Sequence, residues 1–444
     1  MQYYLSAAHK SSGKTTISVG LAAALAKTNI VQTFKKGPDY IDTNWLQQAT
    51  KRPCFNLDFF MMSHEDIKQS FEQNPGEIKL IEGNKGLFDG LSLDGSDSNA
   101  ALANLLNVPV ILVIDCVGIT RGVAPLLLAY QEFKFPKVNI AGVIFNKVGG
   151  PRHEYKLIAT TEKYTDYKII GAVPKDNKVT ISERHLGLVP SNEQKQVKQL
   201  IDNMQKLVLD NVDINFFKPS KIRHYQNTIS QHKLYKLTIA VAIDEAFGFY
   251  YARDLQILKS LCTKVVYFSP LKDQQLPKNI DGLFLGGGFP ETHAQQLSNN
   301  QTLLQDLAHK IEEGLPVYAE CGGMMMLARS ISYQNKSYPM ADVIKADCIM
   351  TQKPQGRGYM KLLPLANHPW GLPKTEINCH EFHFSKLDNW TGNKDFVYQV
   401  SRGSGIENNF DGISQNNLVA NYAHLLHSEQ NPWINYFLDF CQKC

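Results

Sequence analysis

The sequence predicts two α/β domains in tandem, each built on a largely parallel sheet, and three observations carry that prediction. Short apolar runs alternate with helical patterns along the chain. A phosphate-loop pattern stands between the first strand and the first helix. A second strand–helix series restarts after a polar stretch in the middle. Continuous apolar runs suit strands covered on both faces, and their alternation with helices implies right-handed βαβ units. A chain of 444 residues is long enough for two or three such cores.

Taken in order, residues 5–8 end a first strand and residues 17–25 have helical periodicity. Residues 110–115, 140–146 and 169–173 are short apolar runs closed by polar or glycine-containing turns. A polar helical pattern covers residues 191–209, followed by a stretch rich in Lys, Gln, Asn and His up to residue 236, read as the interdomain connection. The second series starts at residues 237–244 and continues at 264–270, 283–288 and 315–321. The expected division is 1–190 for the first domain, 191–236 for helix and linker, and 237–444 for the second domain.

Composition narrows the function. The chain is 43% hydrophobic and 20% charged, with a net charge of +4, so neither a nucleic acid nor a membrane surface is an expected partner. Met1-Gln2-Tyr3-Tyr4 lacks a basic leader segment, Lys10 interrupts the apolar stretch, and no apolar run reaches about 18 residues. Eight scattered cysteines fit reduced thiols and a cytoplasmic location better than a disulfide scaffold. The terminal Cys441-Gln-Lys-Cys444 is read without a metal or redox role.

The first motif is Ser6-Ala-Ala-His-Lys-Ser-Ser-Gly-Lys-Thr-Thr16. Set between a strand and a helix, it is expected to bind ATP through Ser12, Gly13, Lys14, Thr15 and Thr16, because free amides at a helix N-terminus favour anions. Lys14 would reach the β- and γ-phosphates and the Thr15 hydroxyl would hold Mg²⁺. Ala8 replaces the usual first glycine, so a plain helix-capping loop is the competing reading. Mg²⁺ needs oxygen ligands, and the acids after strands are the candidates: Asp39, Glu82, Asp89 and Asp115. Thr15, Asp39 and Glu82 form the expected magnesium set.

The second motif is Val317-Tyr-Ala-Glu-Cys-Gly-Gly-Met324. An apolar strand runs into Cys321, and two glycines allow the sharp turn that presents a nucleophile. Gly287 and Gly288, after another strand, could offer amides to an oxyanion. The base is expected to be His424 in Asn421-Tyr-Ala-His424, with His427 one turn on if that segment is helical. Cys379-His-Glu-Phe-His383 is read as a substrate or structural element rather than a metal site.

With these motifs in place, the chain resembles the cobyrinic acid a,c-diamide synthase family, including its relatives that amidate hydrogenobyrinic acid. The matching stretches are Ser12-Gly-Lys-Thr-Thr16, Lys36-Gly-Pro-Asp-Tyr-Ile-Asp42, Glu82-Gly with Gly86-Leu-Phe-Asp-Gly90, Asn146-Lys-Val-Gly-Gly150 with Arg152-His153, and Glu183-Arg-His-Leu-Gly-Leu188. Gly286-Gly-Gly-Phe-Pro-Glu291, Ala319-Glu-Cys-Gly-Gly323, His380-Glu-Phe-His383 and Tyr422-Ala-His424 complete the series. The resemblance spans essentially the whole chain, and the order of the stretches is its specific feature.

The resemblance implies a dethiobiotin synthetase-like P-loop domain of three layers, followed by a class I glutamine amidotransferase-like domain with Cys321 as nucleophile and His424 as base. No third member of a triad is apparent. It implies a ligase that uses ATP, Mg²⁺ and glutamine, or ammonia, to amidate the a and c carboxylates of a corrinoid or related tetrapyrrole through acyl phosphates. Asp39, Tyr40 and Asp89 match positions near the transferred phosphate and the substrate, as does Glu82; a homodimer is an allowed assembly. Asn84 and Lys85 depart from the apolar residues usual there, Ser11 replaces a common glycine, and Asn421 and Leu426 alter the ending around His424. The competing readings are the same chemistry on nickel-sirohydrochlorin, another carboxylate or pyrimidine amidoligase, and a non-catalytic P-loop ATPase switch with a decayed glutaminase half.

Overall fold

The computed structural model describes residues 1–133, 135–181, 183–184, 187–189, 191, 196–222 and 234–444. The chain forms two units, Met1–Phe59 with His64–Asn227, and Phe60–Ser63 with Thr228–Cys444.

The first unit holds seven parallel strands: β1 (Gln2–Ala7), β2 (Val31–Lys36), β3 (Phe55–Leu57), β4 (Ile78–Glu82), β5 (Val110–Asp115), β6 (Ile140–Val148) and β7 (Ile169–Pro174). Their order is β3-β2-β4-β1-β5-β6-β7. β1 lies between β4 and β5: the chain passes from β1 to β2 on one side and from β4 across to β5 on the other, so the strand order reverses at β1. A crevice opens beyond the strand ends at such a reversal, where ligands of open α/β sheets bind. β8 (Glu183–Arg184) and β9 (Gly187–Leu188) form a small hairpin. His185 and Leu186 of the Glu183–Leu188 motif lie outside the described residues, as do residues 223–233 of the expected linker.

Helix α1 (Lys14–Leu25) is apolar on nearly every side and buried from Ile17 to Leu25. Such a helix needs cover on more than one face. Helix Val197–Asn211, which the sequence reading set in the helix-and-linker segment 191–236 outside the first domain, supplies it within the first unit. A Cβ on Gly20 would lie 2.5 Å from the Met204 carbonyl oxygen, so glycine sets how closely the two helices approach. Gln205 Nε2 donates to the Ala23 carbonyl at 2.7 Å. The apolar stripe of Ile201, Met204 and Val208 completes the core.

The second unit departs from a largely parallel sheet. β10 (Tyr235–Ala242), β11 (Phe247–Phe249), β12 (Cys262–Phe268), β13 (Gly282–Leu285), β14 (Gly287–Gly288) and β15 (Val317–Glu320) are followed by β16 (Ala328–Tyr333), β17 (Lys336–Pro339) and β18 (Ile344–Met350). β19 (Gly356–Pro364), β20 (Ile377–His383), β21 (Ser385–Asp388), β22 (Phe396–Arg402), β23 (Phe410–Gln415) and β24 (Leu418–Asn421) complete the unit. The main sheet runs β12-β10-β13-β15-β24-β23-β22-β19-β20. The first five strands pair in parallel and the rest are antiparallel. β19, β20, β22 and β23 mix apolar and polar residues, so they lack the continuous apolar signature of buried parallel strands. Among the described residues no helix is long and apolar enough to cross a membrane.

Candidate active sites

The first site gathers where β1, β2, β4 and β6 end. The chain leaves β1 through the phosphate loop and enters α1 at Lys14, with Gly13 left-handed at φ 78°. A Cβ on Gly13 would collide with the Asn146 side-chain amide, which donates to the Ser12 carbonyl at 2.8 Å. The Ser12 hydroxyl closes the loop on the His9 carbonyl at 2.7 Å. Lys147 Nζ reaches the Ser11 carbonyl at 2.8 Å and Asp115 at 2.6 Å. That pairing accounts for Asp115: burial raises its carboxyl, but the hydrogen bond and charge of Lys147 and the Val117 amide together outweigh this and hold it below its ordinary value.

Thr15 faces acids. Its hydroxyl lies 2.8 Å from Glu82 Oε1 and 3.4 Å from Asp42 Oδ2. Lys35, buried at the end of β2, places Nζ 2.6 Å from Asp42 and 3.1 Å from Glu82. Burial would lower the Lys35 pKa, but Asp42 and Glu82 outweigh it and keep the ammonium charged. Burial pushes the Asp42 carboxyl up and Lys35 pulls it below its ordinary value, whereas for Glu82 burial wins and the pKa is raised. Lys14 is lowered by burial and by the like charge of Lys35.

The expected magnesium set is only partly together. Thr15 and Glu82 meet, and the second acid beside Thr15 is Asp42. Asp39 Oδ1 instead accepts the amides of Ile41 and Asp42, both at 2.9 Å, and starts helix α2 (Ile41–Thr50). Burial and the neighbouring Asp42 charge raise the Asp39 carboxyl to about 6. Among the described residues no three His, Cys, Asp or Glu side chains form a metal-binding group. Magnesium takes only one or two carboxylates beside phosphates and water. The Thr15 hydroxyl and Glu82, whose buried Oε2 has no hydrogen-bond partner among the described residues, suit that demand.

Asp89 Oδ2 accepts from the Gly86 amide at 2.8 Å, in a loop whose Leu87 amide donates to the Ala7 carbonyl at 2.8 Å. Asn99 pins the same loop, accepting from Asn84 N at 3.0 Å and donating to the Asn84 and Gly86 carbonyls. Asp89 and Lys85 are exposed, and Tyr40 is buried at the entry to α2. Lys35 and Asp42 are the residues of this site that sequence reasoning missed, and Lys35 is the less legible of the two. Its only signal is a lysine pair, Lys35-Lys36, at the end of a short strand and just before Gly37-Pro38-Asp39.

The second site lies in the second unit, at the ends of β15 and β24. Cys321 ends β15 with φ 44° and ψ −99°, a strained conformation for a side-chain-bearing residue. A Cβ on Gly323 would collide with the Leu285 carbonyl, so only glycine lets the next helix start there. A Cβ on Gly322 would sit 3.0 Å from the Gly288 amide nitrogen, which places that expected oxyanion donor beside the nucleophile turn. Burial, followed by the charge of Glu291, pushes the Cys321 thiol well up, so it rests protonated and needs a base.

His424 is buried and bridges antiparallel to His380, with its amide donating to the His380 carbonyl at 2.8 Å. The two imidazoles stack with centroids 4.9 Å apart. Gly287 leaves room for the ring: a Cβ there would lie 2.6 Å from His424 Cε1. The conditional placement of His427 one helical turn on does not apply, because residues 421–428 are not helical. The His427 amide donates to Asp254 at 2.9 Å and its carbonyl accepts from Arg253 at 3.0 Å. Along β20, His380 and His383 lie three residues apart, so strand alternation turns them to opposite faces. His383 stacks flat on Tyr422 at 3.6 Å and lies 3.5 Å from Glu381.

Two family matches cover most of the chain. Residues 7–189 match the CobQ/CobB/MinD/ParA nucleotide binding domain, and residues 238–432 match the CobB/CobQ-like glutamine amidotransferase domain. The chain is 39% identical to the cobyrinate a,c-diamide synthase of Magnetococcus marinus, across 99% of this chain and 97% of that one. It is 34% identical to the enzyme of that name from Caldanaerobacter subterraneus subsp. tengcongensis, across 99% and 98%. The one from Methanosphaera stadtmanae is 36% identical, across 93% and 92%.

Proposed function

The chain belongs to the cobyrinate a,c-diamide synthase family of glutamine-hydrolysing ligases, and on that premise we propose that it converts the a- and c-side-chain carboxylates of cobyrinic acid, or hydrogenobyrinic acid, into primary amides with ATP and glutamine. The observation that carries this reading is the Lys14, Thr15, Lys35, Asp42 and Glu82 cluster at the strand ends of a nucleotide-binding unit, in one chain with a strained cysteine and a buried histidine.

The chemistry follows from what each group must do. A carboxylate is a poor electrophile, so one of its oxygens first attacks the γ-phosphorus of ATP and ADP leaves. Lys14 and the phosphate-loop amides hold the phosphates and offset charge as the acyl phosphate forms. Magnesium, held through Thr15 and Glu82, would supply further positive charge at the phosphates. Asp39, Tyr40 and Asp89 are assigned to positioning the substrate and the transferred phosphate. In the second unit, Cys321 gives its proton to His424 and its sulfur attacks the glutamine side-chain carbonyl. The Gly287 and Gly288 amides face the oxyanion, His424 returns the proton to departing ammonia, and water then releases glutamate. Ammonia attacks the acyl phosphate, phosphate leaves and the nitrogen loses a proton to give the amide. Making ammonia in a shielded site keeps it unprotonated and nucleophilic.

The test is isotopic. Cobyrinic acid labelled with ¹⁸O in its carboxylates, given MgATP and glutamine, should transfer one ¹⁸O to inorganic phosphate for each amide formed. Amide formation with unlabelled phosphate would overturn the acyl-phosphate route.

A further inference from the structure

Glu320 is the last residue of β15 and the immediate neighbour of Cys321. Its side chain is 2% exposed. A carboxylate buried this far is costly unless its oxygens are satisfied. Oε1 is satisfied locally: the Tyr318 hydroxyl donates to it at 2.7 Å and the Leu425 amide at 2.9 Å. Oε2 is aimed elsewhere and lies 3.3 Å from Nδ1 of His424, whose side chain is 3% exposed. The approach has ion-pair rather than aligned hydrogen-bond geometry. Among the described residues no lysine or arginine pairs with Glu320.

Two facts make this more than a structural carboxylate. The donors on Oε1 come from residues on either side of the site, Tyr318 on β15 and Leu425 next to His424, so they fix the carboxylate relative to the imidazole. The imidazole is also confined from other directions, by the His380 ring, itself hydrogen-bonded to Tyr251 at 2.8 Å, and by the bare face of Gly287. An imidazole held at Nδ1 turns Nε2 to the opposite edge of the ring.

We propose that Glu320 is the positioning residue of the glutaminase reaction: it receives the Nδ1–H of His424, leaves Nε2 to take the Cys321 proton, and balances the imidazolium that this transfer creates. This rests on reading the second unit as a glutaminase. No net proton is gained or lost, because the proton that moves from Sγ to Nε2 departs with ammonia.

Glu320→Gln is the discriminating variant. The Leu425 amide can only donate, so it fixes the Gln carbonyl where Oε1 stands and turns the Gln NH₂ toward His424. An NH₂ donor favours the opposite tautomer, with the proton on Nε2. The kcat for glutamine hydrolysis should then fall about 100-fold or more, with the KM for glutamine within about threefold of the parent. Ammonia-driven synthesis reports whether the rest of the enzyme is intact. A kcat within about threefold of the parent would overturn the proposal. A second measurement needs no variant: ¹⁵N-histidine NMR of the parent enzyme, with the His424 signals assigned, should show a proton on Nδ1, and a bare Nδ1 would overturn the proposal. A parent that hydrolyses no glutamine would sink the glutaminase reading itself, and the state of Nδ1 would still decide the placement.

Discussion

Lys35 Nζ lies 2.6 Å from Asp42 Oδ2, a buried ion pair that also holds Glu82 at 3.1 Å, directly beside Thr15 of the phosphate loop. One cation serves two acids, so the partners are not equivalent. Lys35→Met would leave two buried carboxylates facing each other and should cost on the order of 3 kcal/mol of stability, with loss of ATP-dependent synthesis. Asp42→Asn leaves the Lys35–Glu82 pair intact and should cost clearly less. Urea unfolding of both variants checks the order; an equal or reversed cost would contradict the pairing.

The two sites should fail separately. Cys321→Ala should abolish glutamine-dependent synthesis while high ammonia still supports product. Lys14→Ala should remove synthesis with either nitrogen source, because both routes need the activated carboxylate. Product assays with glutamine and with ammonia distinguish them. Normal glutamine use by the Cys321→Ala protein would refute the nucleophile assignment.

Gly287→Ala should act through His424. The added methyl would lie 2.6 Å from Cε1 and must displace the imidazole. Misplacement by about 1 Å can cost roughly 100-fold in rate. Glutaminase kcat/KM should fall by about that factor, with ammonia-driven synthesis retained. A glutaminase rate near the parent's would show that the ring does not need that space.

How much of this was legible in sequence depends on how local the signal is. Strands β5 and β15 and residues 239–242 of β10 carry apolar runs, and Gly13–Thr16 sits in its own strand–loop–helix context, so both can be read without tertiary information. Lys35 cannot, because a lysine in a short strand reads as solvent-facing until β4 and α2 bring Glu82 and Asp42 to it. Glu320 was hidden similarly: its partner is about a hundred residues away, and only the β15–β24 pairing brings them together. Helix Val197–Asn211 falls outside the first domain in the sequence reading because its polar residues outnumber the narrow stripe that covers α1. His427 would lie one turn from His424 only in a helical segment, whereas the bridge of His424 to His380 and the hydrogen bond of the His427 amide to Asp254 belong to a non-helical one.

His368 sets an acid limit on the second unit. Burial lowers it to about 3, and it is held neutral, with the Trp370 amide donating to Nδ1 at 3.2 Å and Nε2 lying 2.9 Å from the Tyr398 hydroxyl. The unfolded chain protonates near 6.5, so below that pH the unfolded state gains a proton that the folded state refuses. Stability should therefore fall as pH drops from 6.5 toward 3, by on the order of 3 kcal/mol from this residue at pH 4. His368→Gln should flatten that part of the profile in urea melts taken across pH. An unchanged slope would contradict the assignment.

The central claim, amidation of two carboxylates on one corrinoid, is tested most directly by mass spectrometry of cobyrinic acid and, in a parallel reaction, hydrogenobyrinic acid incubated with the protein, MgATP and glutamine. The account predicts a product in which two carboxylates have become primary amides, with glutamate and ADP released in step. Unchanged cobyrinic acid and hydrogenobyrinic acid, while glutamine is hydrolysed, would contradict it and direct the search to other tetrapyrrole carboxylates, nickel-sirohydrochlorin first.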